Sequence, residues 1–232
     1  MTLFTRWLHD LLAQFYPNLC LACQENAPIP KDFLCLTCER KLPATNFHQE
    51  KENAFTERFW GRLPLHAGAA FYHFVKGGRT QGLIHQLKYN GRKDIAFELG
   101  KRYGWQLKAA PLFSVVDGIV PVPLHPKKER LRGYNQSLYF AKGLAESMSL
   151  PVWSKALKRK TYADSQTEKT RIQRLENVMT AFEVTQIEVL KGKHILLVDD
   201  VLTTGATLEG CGLKILEIEN TTLSMATIAI SN

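Results

Sequence analysis

Residues 193–208, KHILLVDDVLTTGATL, restrict the folds open to this chain more than any other stretch. The run Ile195–Val198 is short, wholly apolar and ends in two acids, as expected of a central strand in a parallel sheet, which is buried on both faces. A glycine-containing turn and a predicted helix over Thr207–Glu219 follow, and LSMATIAI (223–230) reads as a last strand. The same alternation begins near residue 65. AGAAFYHFV (67–75) reads as a strand closed by Lys76-Gly77-Gly78, and TQGLIHQLKY (80–89) and DIAFELGKRYGWQL (94–107) have helical apolar spacing. VVDGIVPVPL (115–124) is a buried strand entering a proline-bounded loop. Further on come a helix near 135–148, a basic strand-like stretch near 153–160 and a helix over 168–179. Strands alternating with helices predict an α/β fold built on a doubly wound, mostly parallel sheet flanked by helices.

Ligands of such sheets bind at the carboxyl ends of the strands, and there the sequence places Asp199 and Asp200. Directly after them, Thr203-Thr204-Gly205-Ala206-Thr207 leads into a helix, so free backbone N–H groups and the helix dipole face one spot. Amides and threonine hydroxyls suit a phosphate. Two carboxylates do not; they suit the paired hydroxyls of a ribose, or a Mg²⁺ ion nearby. A helix cap alone would explain Asp200 or Thr204 but not the ordered set, and a Walker-type loop lacks its Gly-Lys-Ser/Thr here. The segment therefore points to a sugar phosphate.

Four of the five cysteines form a second pattern, Cys20 and Cys23, then Cys35 and Cys38 after eleven residues. Two C-x2-C turns of this kind suit a tetrahedral structural Zn²⁺, with iron as the chemical alternative. Cys211 lies in the helix after the phosphate loop and is expected in the core. Seven histidines show no ligand spacing among themselves. Residues 2–15 have helix-like apolar spacing that Pro17 ends. The polar stretch 48–58 reads as a linker or loop, which divides the chain into a helix and cysteine module at 1–45 and an α/β domain at 60–232.

The balance of 30 Lys and Arg against 22 Asp and Glu gives +8 and favours anionic partners such as phosphorylated metabolites or nucleic acid. No stretch is long and apolar enough for a transmembrane span. Arg6, His9 and Asp10 interrupt any signal-peptide core. Paired cysteines at metal-ligand spacing belong to a reducing compartment, so a cytoplasmic location is expected.

Asp199–Thr207 resembles the motif by which type I phosphoribosyltransferases hold phosphoribosyl pyrophosphate (PRPP). A second match is PVPL (121–124) followed by Arg130 and Arg132-Gly133-Tyr134-Asn135-Gln136. With the four cysteines, Gln166, Arg171 and Asn177, nearly the whole chain resembles the ComF/GntX family of competence-associated proteins. That resemblance implies a type I phosphoribosyltransferase-like domain behind an N-terminal zinc finger, and a part in natural transformation and DNA uptake. It implies that Asp199 and Asp200, the catalytic candidates, hold the ribose hydroxyls while Thr203, Thr204, Gly205, Ala206 and Thr207 hold the 5′-phosphate. Pyrophosphate, bridged by Mg²⁺, falls to the amides of Val122, Leu124 and His125 and to Arg130 and Arg132. TYADSQTEKTR (161–171) reads as a mobile loop whose contacts are Gln166, Lys169 and Arg171. Two activities remain open at this point. One is a competence protein that binds PRPP and single-stranded DNA alongside DNA-uptake proteins. The other is a transferase that passes phosphoribose to an acceptor the sequence does not name.

Overall fold

The computed structural model describes residues 19–160 and 181–231. The expected helices at 2–15 and 168–179 lie outside the described residues, as do Gln166, Lys169 and Arg171 of the expected mobile loop. In chain order the elements are α1 (Leu36–Lys41), β1 (Ala67–Phe74), α2 (Arg79–Tyr89), α3 (Lys93–Ala109), β2 (Gly118–Pro121), α4 (Pro126–Arg132) and α5 (Gln136–Met148). They continue with β3 (Leu157–Arg159), β4 (Phe182–Val184), α6 (Ile187–Leu190), β5 (His194–Leu202), α7 (Ala206–Leu216) and β6 (Thr222–Ser231).

The main sheet runs β1-β6-β5-β2, and every neighbouring pair is parallel. The basic strand-like stretch near 153–160 touches it at its start, where Trp153 N–H donates to Ile119 O of β2 at 2.8 Å, and then leaves it. Its core, β3, pairs with β4 as a separate antiparallel ribbon. Both faces of the sheet are covered, as the doubly wound reading requires. On one face Ile95, Leu99 and Tyr103 of α3 and Phe140 and Leu144 of α5 pack against Leu196, Val198 and Ala226. On the other, Leu208, Cys211 and Ile215 of α7 cover Ile195, Leu197 and Met225. Cys211 is fully buried, and that burial pushes its thiol well above the usual range, so it is a core residue here.

Helices α3 and α5 approach closely enough that glycine is required at their crossing. A Cβ added at Gly143 would lie 1.9 Å from the carbonyl oxygen of Phe97, and one at Gly100 would lie 2.2 Å from that of Phe140. The close crossing brings α5, and with it Ser137, down onto the carboxyl end of β5.

Two stretches behave differently from their sequence appearance. The expected linker 48–58 is built into the core. Phe55 and Phe59 are buried in the same core cluster as Leu208 and Cys211 of α7, and Asn53 fastens the chain by donating to the carbonyls of Phe47 (3.2 Å), Glu50 (2.8 Å) and Gly68 (3.0 Å). Its side-chain oxygen accepts from the amides of Phe55 (2.9 Å) and Thr56 (3.3 Å). One asparagine thus organises short 3₁₀ turns that carry no periodic signal. The cysteine segment also shares the main core rather than standing apart: Cys20, Phe33, Leu34, Cys35 and Cys38 pack with Leu83 and Leu87 of α2. Beyond it, Pro43–Thr45 lies along β1, with His73 N–H donating to Pro43 O at 2.8 Å and Thr45 N–H to Phe71 O at 3.1 Å. Among the described residues no helix is long and apolar enough to cross a membrane.

Candidate functional site

Strand β2 ends opposite Val198, so β5 continues past it and carries Asp199 and Asp200 out at the carboxyl edge of the sheet. Both acids are half-buried. Asp199 accepts from the Ser137 hydroxyl at 2.7 Å and from the Asp200 amide at 2.9 Å. Even so, burial and then the neighbouring Asp200 charge push its carboxyl up to about 7, while the Ser137 hydrogen bond pulls the other way. Lys88 at the end of α2 pairs with Asp200 at 3.4 Å. The acid pair therefore carries a resident cation from an element far away in sequence.

Strand β5 runs past the two acids to Leu202, and α7 begins at Ala206. Between them Thr203 and Thr204 are exposed, and Gly205 turns the chain with φ +80°, a conformation glycine adopts without penalty. A Cβ there would also meet the Phe59 ring at 3.1 Å. The amides of Thr204, Gly205 and Thr207 make no hydrogen bond among the described residues, while Ala206 N–H reaches only its neighbour Thr204 Oγ1, at 3.5 Å. With the first turn of α7 behind them, these groups line a small concavity of about 40 Å³. It is a donor-lined cradle of the kind that binds phosphate at helix N-termini.

The loop's carbonyls are held from behind. Arg58 donates to Thr203 O and to Ser231 O, and Arg62 donates to Thr204 O at 3.2 Å. Arg62 also forms a two-pronged ion pair with Glu209 of α7, with Nε–Oε1 at 3.0 Å and the second prong from Nη2 to Oε2. Carbonyls tied back in this way leave the amides facing outward. Arg58, Arg62, Glu209, Ser137 and Lys88 carry no signal in the sequence, because their contacts join segments that lie far apart in the chain.

The VPVPL turn is at the same edge of the sheet, but its amides are not equivalent. Val122 N–H donates to Val198 O at 2.9 Å and continues the ladder between β2 and β5, so it is not free for a pyrophosphate. The amides of Leu124 and His125 make no hydrogen bond among the described residues. His125 caps α4, its Nδ1 accepting from Lys127 N–H at 3.2 Å. Arg130 is exposed, whereas Arg132 is half-buried and donates to Gln136 Oε1 at 2.9 Å. The rest of the RGYNQ run fastens the loop. The Tyr134 hydroxyl and Gln136 Nε2 (3.3 Å) donate to Leu87 O, and Asn135 donates to Val122 O at 3.0 Å while capping α5.

The four cysteines converge. The sulfurs of Cys20, Cys23, Cys35 and Cys38 lie within 4.8 Å of one another, and Cys23 and Cys35 are 3.9 Å apart. Zinc–sulfur bonds of about 2.3 Å in a tetrahedron require sulfurs roughly 3.8 Å apart, which the Cys23–Cys35 pair matches. Cys38 N–H also points at Cys35 Sγ, at 3.5 Å. This cluster could hold a metal. Arg102 of α3 clamps the module by pairing with Asp32 at 2.6 Å and Glu39 at 2.7 Å, with its guanidinium over the Phe33 ring.

Residues 135–229 match the family described as phosphoribosyl transferase domain, a span that includes α5, β5, the phosphate loop and most of β6. Competence protein F of Haemophilus influenzae is 23% identical over 85% of this chain and 90% of its own. The DNA utilization protein YhgH of Escherichia coli O6:H1 is 30% identical over 87% of this chain and 86% of its own. The chain belongs to the ComF family. In this ComF protein the similarity to relatives extends well beyond the transferase domain, so most of the chain is shared with them. Among solved structures, the glutamine PRPP amidotransferase from B. subtilis is 19% identical and superposes with a TM-score of 0.44, over 62% of this chain and 30% of that one.

Proposed function

We propose that this protein binds PRPP with Mg²⁺ at the carboxyl edge of its sheet, in the service of DNA uptake or use. A single observation carries the reading: on one continuous strand, turn and helix, two carboxylates stand beside a cradle of uncommitted amides. Ribose 2′- and 3′-hydroxyls would donate to Asp199 and Asp200. The 5′-phosphate would sit on Thr203, Thr204, Gly205, Ala206 and Thr207. The pyrophosphate would take the amides of Leu124 and His125, with Arg130 and Arg132 neutralising charge and Mg²⁺ bridging its oxygens. Gln166, Lys169 and Arg171 would close over it. Zn²⁺ on Cys20, Cys23, Cys35 and Cys38 would hold the N-terminal module to α2 and α3.

Thermal unfolding tests the site. Mg²⁺ and PRPP should raise the midpoint of the wild type and leave the Asp199→Asn/Asp200→Asn double variant unmoved. Asparagine keeps the oxygen that accepts from Ser137, so the variant should fold. An equal response in both proteins would sink the assignment.

A second reading, binding of single-stranded DNA in the cytoplasm alongside DNA-uptake proteins, draws on the +8 charge and on relatives named for competence and DNA utilization. Its affinity should fall steeply with salt and weaken when Arg130 and Arg132 are replaced. Salt-independent binding would count against it.

A further inference from the structure

Helix α2 touches the four-cysteine module with its first turns and the acid pair with its last. A Cβ added at Gly82 would lie 2.5 Å from Ala22 O and 3.4 Å from Leu21 O, so the turn between Cys20 and Cys23 is pressed directly onto the helix. Arg79 opens the helix beside Cys38. Burial and then the neighbouring sulfurs push the Cys38 thiol up, and the Arg79 guanidinium pulls the other way. The buried Nε of Arg79 has no hydrogen-bond partner among the described residues. Four thiolates around a dication leave an excess of negative charge, which a guanidinium next to them offsets.

The last turn of α2 holds the ligand site from two directions. Lys88 Nζ pairs with Asp200 at 3.4 Å, with both side chains largely shielded from water. One residue earlier, Leu87 O accepts from the Tyr134 hydroxyl and from Gln136 Nε2 (3.3 Å), the contacts that fasten the RGYNQ run. Arg79 and Lys88 are nine positions apart, which an α-helix spans in about 14 Å. Thr80, Leu83, Ile84, Gln86 and Leu87 are buried along that length, so the helix is a packed rod between the two regions. Packed interiors are stiff and pass a displacement at one end to the other.

We propose, building on the zinc and ribose-phosphate readings above, that α2 couples the two sites: metal on the four thiolates fixes the first turn of the helix and thereby the place of Lys88 against Asp200. With metal bound, the Cys20–Cys23 turn holds α2 at Gly82, and Lys88 keeps the Asp200 carboxylate in position for a ribose hydroxyl. Without metal the four sulfurs lose their common centre, the turn loosens from Gly82, and Lys88 loses its fixed place. A sugar phosphate therefore binds the metal-loaded protein more tightly. By reciprocity, the metal binds the sugar-phosphate complex more tightly by the same factor. Lys88 acts as a positioning residue.

The test measures both affinities on the full chain, with ribose 5-phosphate as the probe because it lacks the pyrophosphate that would itself draw zinc. Competition with a chromophoric chelator gives the zinc affinity with and without ribose 5-phosphate. Calorimetry gives the ribose 5-phosphate affinity of the zinc-loaded and metal-free chains. In the wild type each should strengthen the other about tenfold. Lys88→Met should still bind both, each independently of the other, and Lys88→Arg should restore the coupling. Should the metal-free chain fail to fold, the chelator competition decides alone, by comparing the wild type with Lys88→Met. Equal coupling in those two proteins would mean that metal and ligand merely stabilise one fold, and overturns the proposal. A Lys88→Met chain that no longer binds ribose 5-phosphate overturns it too, since Lys88 would then belong to the site rather than the link. So does a wild type that takes up no zinc. Ribose 5-phosphate binding that ignores zinc refutes the coupling alone, whereas no binding at all refutes the ribose-phosphate reading along with it.

Discussion

Asp199 holds a proton at pH values where an ordinary aspartate has lost it. An unfolded chain releases that proton near the ordinary value of 3.8, whereas the folded protein keeps it to about 7. Between those values the folded state binds more protons, so this residue's contribution to stability declines as pH rises and levels off above about 7. Urea unfolding of the wild type and Asp199→Asn across that range isolates the effect: the wild type should lose stability relative to the variant between about pH 4 and 7. A pH-independent difference would contradict the assignment. Positions set by local sequence were legible: Asp199 near the end of its strand, Gly205 in the turn before α7 and the four cysteines in one cluster. Val122 was not, because the fate of its amide depends on Val198, a residue of another strand.

Among the elements, the 3₁₀ segment around Phe55–Arg62 has the least conspicuous sequence and the most direct hold on the phosphate loop. Phe59 supports Gly205 from below while Arg58 and Arg62 hold the carbonyls of Thr203 and Thr204. Replacing Arg62 with alanine leaves Glu209 without its partner in a largely buried position and frees Thr204 O. Stability should fall by about 1–3 kcal/mol. The midpoint shift produced by Mg²⁺ and PRPP should also shrink by more than that of a surface variant such as Lys128→Ala. An undiminished shift would show that the loop keeps its shape without this support. The alternation of strands and helices was readable because period and composition announce those elements one at a time. This segment was not, since a polar string fastened by one asparagine resembles any exposed connector until its two phenylalanines are seen in the core.

The whole molecule joins its two sequence patterns through one core. Because Cys20, Cys35 and Cys38 pack with Leu83 and Leu87, and Arg102 clamps Asp32 and Glu39, removing metal should disturb the sheet domain as well as the module. Calorimetry with a strong chelator should show one transition shifted to lower temperature. Two separated transitions, with the upper one unchanged, would mean that the module melts on its own. The stretch just after the last of these cysteines has a further consequence. Pro43–Thr45 occupies the outer hydrogen-bonding row of β1, the open margin of a four-stranded sheet. If chelation loosens that cover, a bare strand is presented to any other copy of the chain, and such margins invite strand exchange and aggregation. Light scattering during chelation should therefore rise with protein concentration, so that in this protein four thiols also guard against self-association.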